Sequence, residues 1–334
     1  MSKTPDSLSL ASIFDLFFRD APVLTKAMSC SVSVDRFHLT CPVIPGRYAP
    51  LFTLLTDRYR TRKLRNRGVR ASVRLTAMAR SRSAKRDRTL PRDPRSRAHH
   101  LDLQLFANRH GWFFHVQANG SYDEQCWAEY HTHLAPFLDH VAPASLSKVE
   151  LAWDIPAYLD SVFVAPIKVR GRLCYHENGY YYGARASDYS LAVYDRAAWV
   201  AQPLNPWLKP VTRVETRIRK SVPVFAAWEL AGSLERIGVY ILPSAPDGHT
   251  LLFPPAWQRA DTRARERFLE RIEPFRLYPD LSQAQEALCC FALKVLSEWN
   301  TDPAEPVLSL QPEVSRSAGP GDRSASWQDD HCPF

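Results

Sequence analysis

Glycine is scarce in this chain, 12 residues in 334, and no G-x-G-x-x-G or GKS/GKT string occurs. A phosphate cradle made of backbone amides needs glycines at fixed spacing, so dinucleotide-fold and P-loop readings fall away. With 26 prolines and so little glycine, collagen-like and flexible-linker compositions are excluded too. The seven cysteines (Cys30, Cys41, Cys126, Cys174, Cys289, Cys290 and Cys332) contain no C-x-x-C pair. A zinc ribbon is therefore excluded, and an odd, scattered set reads as free thiols in a reducing cytoplasm. No run approaches 18 apolar residues, and Asp15 and Arg19 interrupt the apolar stretch near the start. The expectation is a soluble cytoplasmic protein of about two domains with no membrane partner.

What is abundant is positive charge in one place. The chain carries 43 Lys and Arg against 35 Asp and Glu. From Arg58 to Arg97 it reads RYRTRKLRNRGVRASVRLTAMARSRSAKRDRTLPRDPRSR, opposed only by Asp87 and Asp93. Such a block attracts phosphate backbones and releases their counterions. Arg62, Lys63, Arg65, Arg67, Arg70, Arg74, Arg80, Arg82, Lys85 and Arg86 are its candidate DNA contacts. A solvated basic loop is the plainer alternative.

Periodicity divides the first half. Leu51, Leu54, Leu55 and Tyr59 recur at helical spacing before Gly68. Val69, Ala71, Val73, Leu75 and Ala77 then alternate with polar residues as in a strand. Residues 79–97 suggest a long loop, and strand patterns resume at 99–106 and 112–118. Trp127, Tyr130, Leu134, Phe137, Leu138 and Val141 form one helical stripe ending at Pro143. His131 and His133 lie within it, and on a helix they point about 200° apart, which disfavours a shared metal.

The second half carries sharper alternation. In SKVELAWDIP (147–156), Glu150, Ala152 and Asp154 share one face of a strand. The two carboxylates lie about 13 Å apart along it, too far to grip one ion without a bulge. Asn178-Gly179 marks a hairpin. In PVTRVETRIRK (210–220), Val214 and Ile218 mark one side, while Arg213, Glu215, Arg217 and Arg219 share the other. An acid in a row of arginines is either a salt-bridged position or a metal ligand beside a phosphate-binding row. Three helices should follow: VFAAWELAGSLERIG with a glycine stop, WQRADTRARERFLERI, and SQAQEALCCFALKVLSEWN. From Asp302 the chain loses periodicity and reads as a disordered tail.

The order of these segments resembles the Rep-trans type of rolling-circle replication initiators of plasmids, conjugative elements and filamentous phages. The matching strings are VDRFHLT (34–40), HVQANG (115–120), LAPFLDHV leading to LSKVELAWD, YYYGARASDYSLAVYDRAAW and TRVETRIRK. They span about residues 30–235. The resemblance implies an α+β nicking domain of antiparallel sheets with packed helices, in two related halves. The implied organisation is an N-terminal extension (1–28), a first half with the basic segment (29–145), a second half with the nicking site (146–240), a helical region (241–301) and the tail (302–334).

The implied activity is that of an endonuclease. A tyrosine attacks a phosphodiester of origin DNA, giving a 5′-phosphotyrosyl link and a free 3′-hydroxyl. Phenol has a pKa near 10, so a cation must favour the phenolate; Glu150, Asp154 and Glu215 are the implied ligands of Mg²⁺ or Mn²⁺. Arg213 and Arg217 would neutralise phosphoryl oxygens, and Arg185 and Arg196 join the DNA contacts. The family's tyrosine falls four residues before Tyr194, at Ser190 here, so Tyr189, one place early, ranks first as nucleophile. Tyr194 ranks second and Tyr182 third. Double- and single-stranded origin DNA are the implied partners, with a host helicase and a homodimer also compatible. Two other readings are an origin- or operator-binding module that has lost nicking, and an RNA-binding protein using aromatic stacking.

Overall fold

The computed structural model describes residues 8–17, 19, 30–59, 69–76, 100–119, 133–167, 172–176, 179–184, 187–196, 210–242 and 251–299; for 17, 69–76, 100, 119, 176 and 296–299 it describes the backbone. The 79–97 loop, His131, the stripe's Trp127 and Tyr130, and the 302–334 tail lie outside the described residues.

The chain is α+β with antiparallel sheets. Strands β1 (Ser31–Pro42), β2 (Val69–Thr76), β3 (His100–Asn108), β4 (Gly111–Asn119), β5 (Ser145–Ile155), β7 (Leu173–His176), β8 (Gly179–Tyr182), β9 (Tyr189–Asp195), β10 (Thr212–Ile218) and β11 (Val222–Pro223) form one sheet. Its order is β2-β3-β4-β1-β5-β10-β9-β8-β7, with β11 attached to β5. The β1–β5 pairing joins the strands of the two sequence halves into a single surface. Strands β6 (Val162–Ala165), β12 (Gly238–Ile241) and β13 (Arg276–Leu277) form a separate three-stranded sheet.

One face of the large sheet is apolar because the strands alternate. Phe37, Leu39 and Cys41 of β1 stand opposite Ala118, Val116 and Phe114 of β4, and all six are buried. Helices α1 (Leu10–Phe17), α2 (Tyr48–Arg58), α3 (Phe253–Arg259), α4 (Thr262–Ile272) and α5 (Leu281–Trp299) complete the main elements. On the apolar face Phe291 of α5 packs on Phe37 with ring centroids 4.8 Å apart. Val32 N–H donates to Gln283 Oε1 of the same helix at 2.8 Å. Leu51 and Leu55 of α2, together with Phe137 from the helical residues 133–138, cover the β4 end. A second core gathers Ile13 and Phe14 of α1 with Phe163, Tyr240, Phe253, Trp257, Phe268 and Ile272 around the small sheet.

Two helix expectations change. Val224–Arg236 winds as a 3-10 helix rather than an α-helix, and Gly238 opens β12 instead of merely stopping a helix. The stretch 257–272 breaks into α3 and α4, because the Asp261 carboxylate accepts from Ala264 N–H at 2.7 Å and so caps a new helix. The expected strands at 99–106 and 112–118 are β3 and β4, and β7 and β8 pair antiparallel with His176 opposite Gly179, while Asn178 lies outside the described residues.

Candidate functional site

The other face of the large sheet is charged, and register explains why. Arg213, Glu215 and Arg217 of β10 stand opposite Asp154, Ala152 and Glu150 of β5. On their other side they meet Tyr194, Ala192 and Ser190 of β9. Every second residue of each strand therefore points into one band. The band is not the half-exposed acidic face that a surface strand would present: Glu150 is 0% exposed, and Glu215 and Arg213 are also buried.

Burying so many charges is tolerable only if they are paired. The Arg213 guanidinium clasps Asp154, Nε to Oδ1 at 2.7 Å and Nη2 to Oδ2 at 2.8 Å, and its Nη1 donates to Asp35 Oδ1 at 2.8 Å. Arg196 donates a further bond to Asp154. Glu150 has Lys148 Nζ at 2.9 Å, Arg217 Nε at 3.4 Å and Arg36 Nε at 3.6 Å. Arg217 Nη2 donates to Glu215 Oε2 at 3.3 Å. The Tyr194 hydroxyl donates to Glu215 Oε1.

Asp35, Arg36 and Lys148 escaped the sequence reading, yet Asp35 left a signal. The buried apolar positions of β1 run Val32, Val34, then Phe37, Leu39, Cys41, one step out of phase. The slip is a β-bulge between Val34 and Arg36. A bulge turns two successive side chains to one side, and here it aims Asp35 at Arg213 of β10 and Arg36 at Glu150 of β5.

Electrostatics follow from this packing. For Glu150, burial alone would raise the pKa, but Arg217, Lys148 and Arg36 outweigh it and hold the carboxyl well below its usual range. Burial, then the charge of Glu215, push Asp35 up to about 6 against the pull of Arg213 and Arg36. Burial works against protonation of Arg213, but its bonds to Asp154 and the charge of Asp35 keep it firmly cationic. The Tyr194 phenol is raised well above 10, first by burial and then by the neighbouring Glu215 charge.

The tyrosines separate cleanly. The β9–β10 register runs without a bulge from Tyr189 to Asp195, so Tyr189 points to the apolar face. Its hydroxyl donates to the Ser233 carbonyl at 3.0 Å, and Arg236 lies 5.2 Å over its ring. Tyr189 therefore faces away from Glu150, Asp154 and Glu215, the acids with which its role as nucleophile was expected. Tyr182 is buried edge-on against Tyr180 on that same side. Only Tyr194 of the three reaches the charged band, where Ser190 also stands, opposite Arg217.

A divalent cation does not fit these acids as arranged. Glu150 and Asp154 sit four residues apart on a regular stretch of β5, and each is already matched by basic side chains. Among the described residues no three His, Cys, Asp or Glu side chains form a group that could hold a metal ion. His133 instead shares a 2.9 Å hydrogen bond with the Tyr59 hydroxyl.

Arg62, Lys63, Arg65, Arg67, Arg80, Arg82, Lys85, Arg86 and Arg185 lie outside the described residues; Arg70 and Arg74 are on β2, where only backbone is described. Among the described residues no helix is long and apolar enough to cross a membrane.

No family model matches the chain. A search of curated proteins also finds no match. One solved structure that the chain resembles is a rolling circle replication initiator protein from Geobacillus stearothermophilus, with 14% identity, a TM-score of 0.34, and coverage of 75% of this chain and 99% of that one. This is a remote likeness.

Proposed function

We propose that the protein is a rolling-circle type replication initiator that nicks one strand of origin DNA, with Tyr194 as nucleophile and Glu215 as its base. The observation that carries this reading is the hydrogen bond from the Tyr194 hydroxyl to Glu215, a carboxylate that Arg217 orients in turn. A nucleophile, a base and a group that orients the base are the parts that nucleophilic catalysis needs. The strings that resemble initiators lend support, since all but LAPFLDHV, which begins on the helical residues 133–138, include strands of one sheet: β1, β4, β5, β8, β9 and β10.

Tyr194 Oη attacks phosphorus as its proton passes to Glu215; the bond from phosphorus to the 3′-oxygen breaks, and that oxygen takes a proton from water. The products are a 5′-phosphotyrosyl link and a free 3′-hydroxyl. A phenol held well above 10 is almost wholly un-ionised at neutral pH, so transfer to an adjacent carboxylate matters more here than in water. Neutralising Glu215 also loosens its hold on Arg217, which leaves that guanidinium for the phosphoryl oxygens. Tyr194 is 9% exposed, so DNA must first open the band. Arg196, with a side chain 39% exposed, is the accessible end where phosphate can compete with Asp154.

A second reading, an origin- or operator-binding protein without nicking, is favoured by the pairing of every acid in the band with a base and by Ser190 at the position of the family's tyrosine. One assay separates the two. Purified protein, a supercoiled plasmid carrying its origin, and Mg²⁺ or Mn²⁺ should give nicked circles and a covalent protein–DNA adduct that Tyr194→Phe abolishes. Gel shift with no adduct from the wild type supports the second reading.

A further inference from the structure

The side-chain pattern around Tyr194 suggests what lies beside the reacting phosphate. In β8, Gly179 stands opposite Tyr194 and Tyr181 opposite Ala192, so both face the charged band. Gly179 is fixed by close approach of the strands: a Cβ there would come within 2.2 Å of the Val193 carbonyl and 2.7 Å of Tyr194 Cβ. Ala192 is fully buried. The floor next to Tyr194 on this side is thus made of a glycine and an alanine, with no long side chain rising from either.

Tyr181 forms the wall of that floor. Its ring is half-buried, with the Arg217 guanidinium 5.8 Å from the centroid. Tyr181 and Tyr194 are diagonal neighbours on adjacent strands, about 7–8 Å apart at the backbone. Arg217 links the two, since it bonds Glu215 and lies over Tyr181. An aromatic face backed by a guanidinium, one step from a phosphate-reactive phenol and over a flat floor, has the shape and charge for a nucleobase.

We propose that Tyr181 is a stacking platform for an unpaired DNA base flanking the phosphate at Tyr194. This rests on the nicking reading for the position of that phosphate, but the stacking itself needs no chemistry. It gives the protein a preference for single-stranded DNA with bases over a bare sugar-phosphate chain.

The test therefore uses binding alone, in full-length protein carrying Tyr194→Phe so that no adduct forms. Fluorescence anisotropy measures affinity for a single-stranded dT 20-mer and for an abasic 20-mer of the same length. The Tyr181-competent protein should prefer the dT strand, and Tyr181→Ala should lose about tenfold in affinity for it, within the usual range for one stacked base, while its affinity for the abasic strand is unchanged. Tyr181→Phe and Tyr181→Trp should keep the preference. If Tyr181→Ala does not fold, Tyr181→Leu, which fills similar space without a π-face, takes its place with the same expectation. An unaltered preference for dT in the Ala or Leu variant overturns the proposal, as does a loss of preference in the Phe variant. Failure of the nicking reading has a separate signature, the absence of an adduct from protein with Tyr194 intact.

Discussion

Asp35 and Arg213 are 178 residues apart in the chain and meet at 2.8 Å in the interior, one from the bulge of β1 and the other from the middle of β10. Their pairing has a pH signature. The Asp35 carboxyl, pushed up to about 6 by burial and by Glu215, binds its proton more tightly folded than unfolded, where the ordinary value is 3.8. Raising the pH from about 4 to 6 therefore costs stability at this residue, on the order of 1–3 kcal/mol. Asp35→Asn should remove that slope. Urea unfolding at a series of pH values should show the variant gaining on the wild type between pH 4 and 6 and running parallel to it above 7; curves parallel throughout would contradict the assignment.

Glu150 has the opposite sign. Its pKa lies below the unfolded value, so it stabilises the fold at pH above the usual carboxylate range and loses that contribution only as the pH falls through its depressed value. Glu150→Gln leaves Lys148, Arg217 and Arg36 facing one another without their shared anion. The expected loss at pH 7 is about 3–5 kcal/mol, the usual result of breaking a buried pair from one side. Adding Lys148→Met should restore part of it, and a double variant no more stable than Glu150→Gln would show that the charges are not coupled.

The faces of β5 and β10 were legible because alternation fixes which residues share a side, and Glu150, Asp154, Glu215, Arg213 and Arg217 do share one. Register was not legible. Nothing local sets Arg213 against Asp154 rather than against Ala152, and that pairing turns candidate metal ligands into partners of arginine. Tyr189 lies on the other face of β9, whose register with β10 has no bulge; the bulge that shapes the site lies in β1, where the broken alternation around Asp35 marks it. The 3-10 winding of Val224–Arg236 has no clear composition signal, because its spacing of apolar residues also suits an α-helix.

Gly179→Ala should be among the more damaging single-methyl changes. The added carbon meets backbone and Cβ atoms of β9 rather than the end of a flexible side chain, so the strands must part. Overpacking of this kind costs about 1–3 kcal/mol. The same displacement would move Tyr194, so adduct formation should fall by more than the thermal melt alone accounts for; a normal melting temperature would mean that β8 can shift freely.

Tyr194→Phe and Tyr189→Phe make the sharpest pair because each removes one hydroxyl from one face of the same strand. Tyr189 loses a bond to the Ser233 carbonyl and Tyr194 a bond to Glu215, so each variant should lose about 1 kcal/mol in urea unfolding. Only Tyr194→Phe should abolish the covalent adduct. The pH profile of the wild type adds a mechanistic check. If hydroxide had to ionise so basic a phenol before attack, the rate would climb about tenfold per pH unit through pH 7–9. If Glu215 accepts the proton during attack, the rate across that range should be nearly flat, since no hydroxide enters the step. A steep climb would remove Glu215 from the role of base while leaving Tyr194 as nucleophile, and an adduct that survives Tyr194→Phe would remove both.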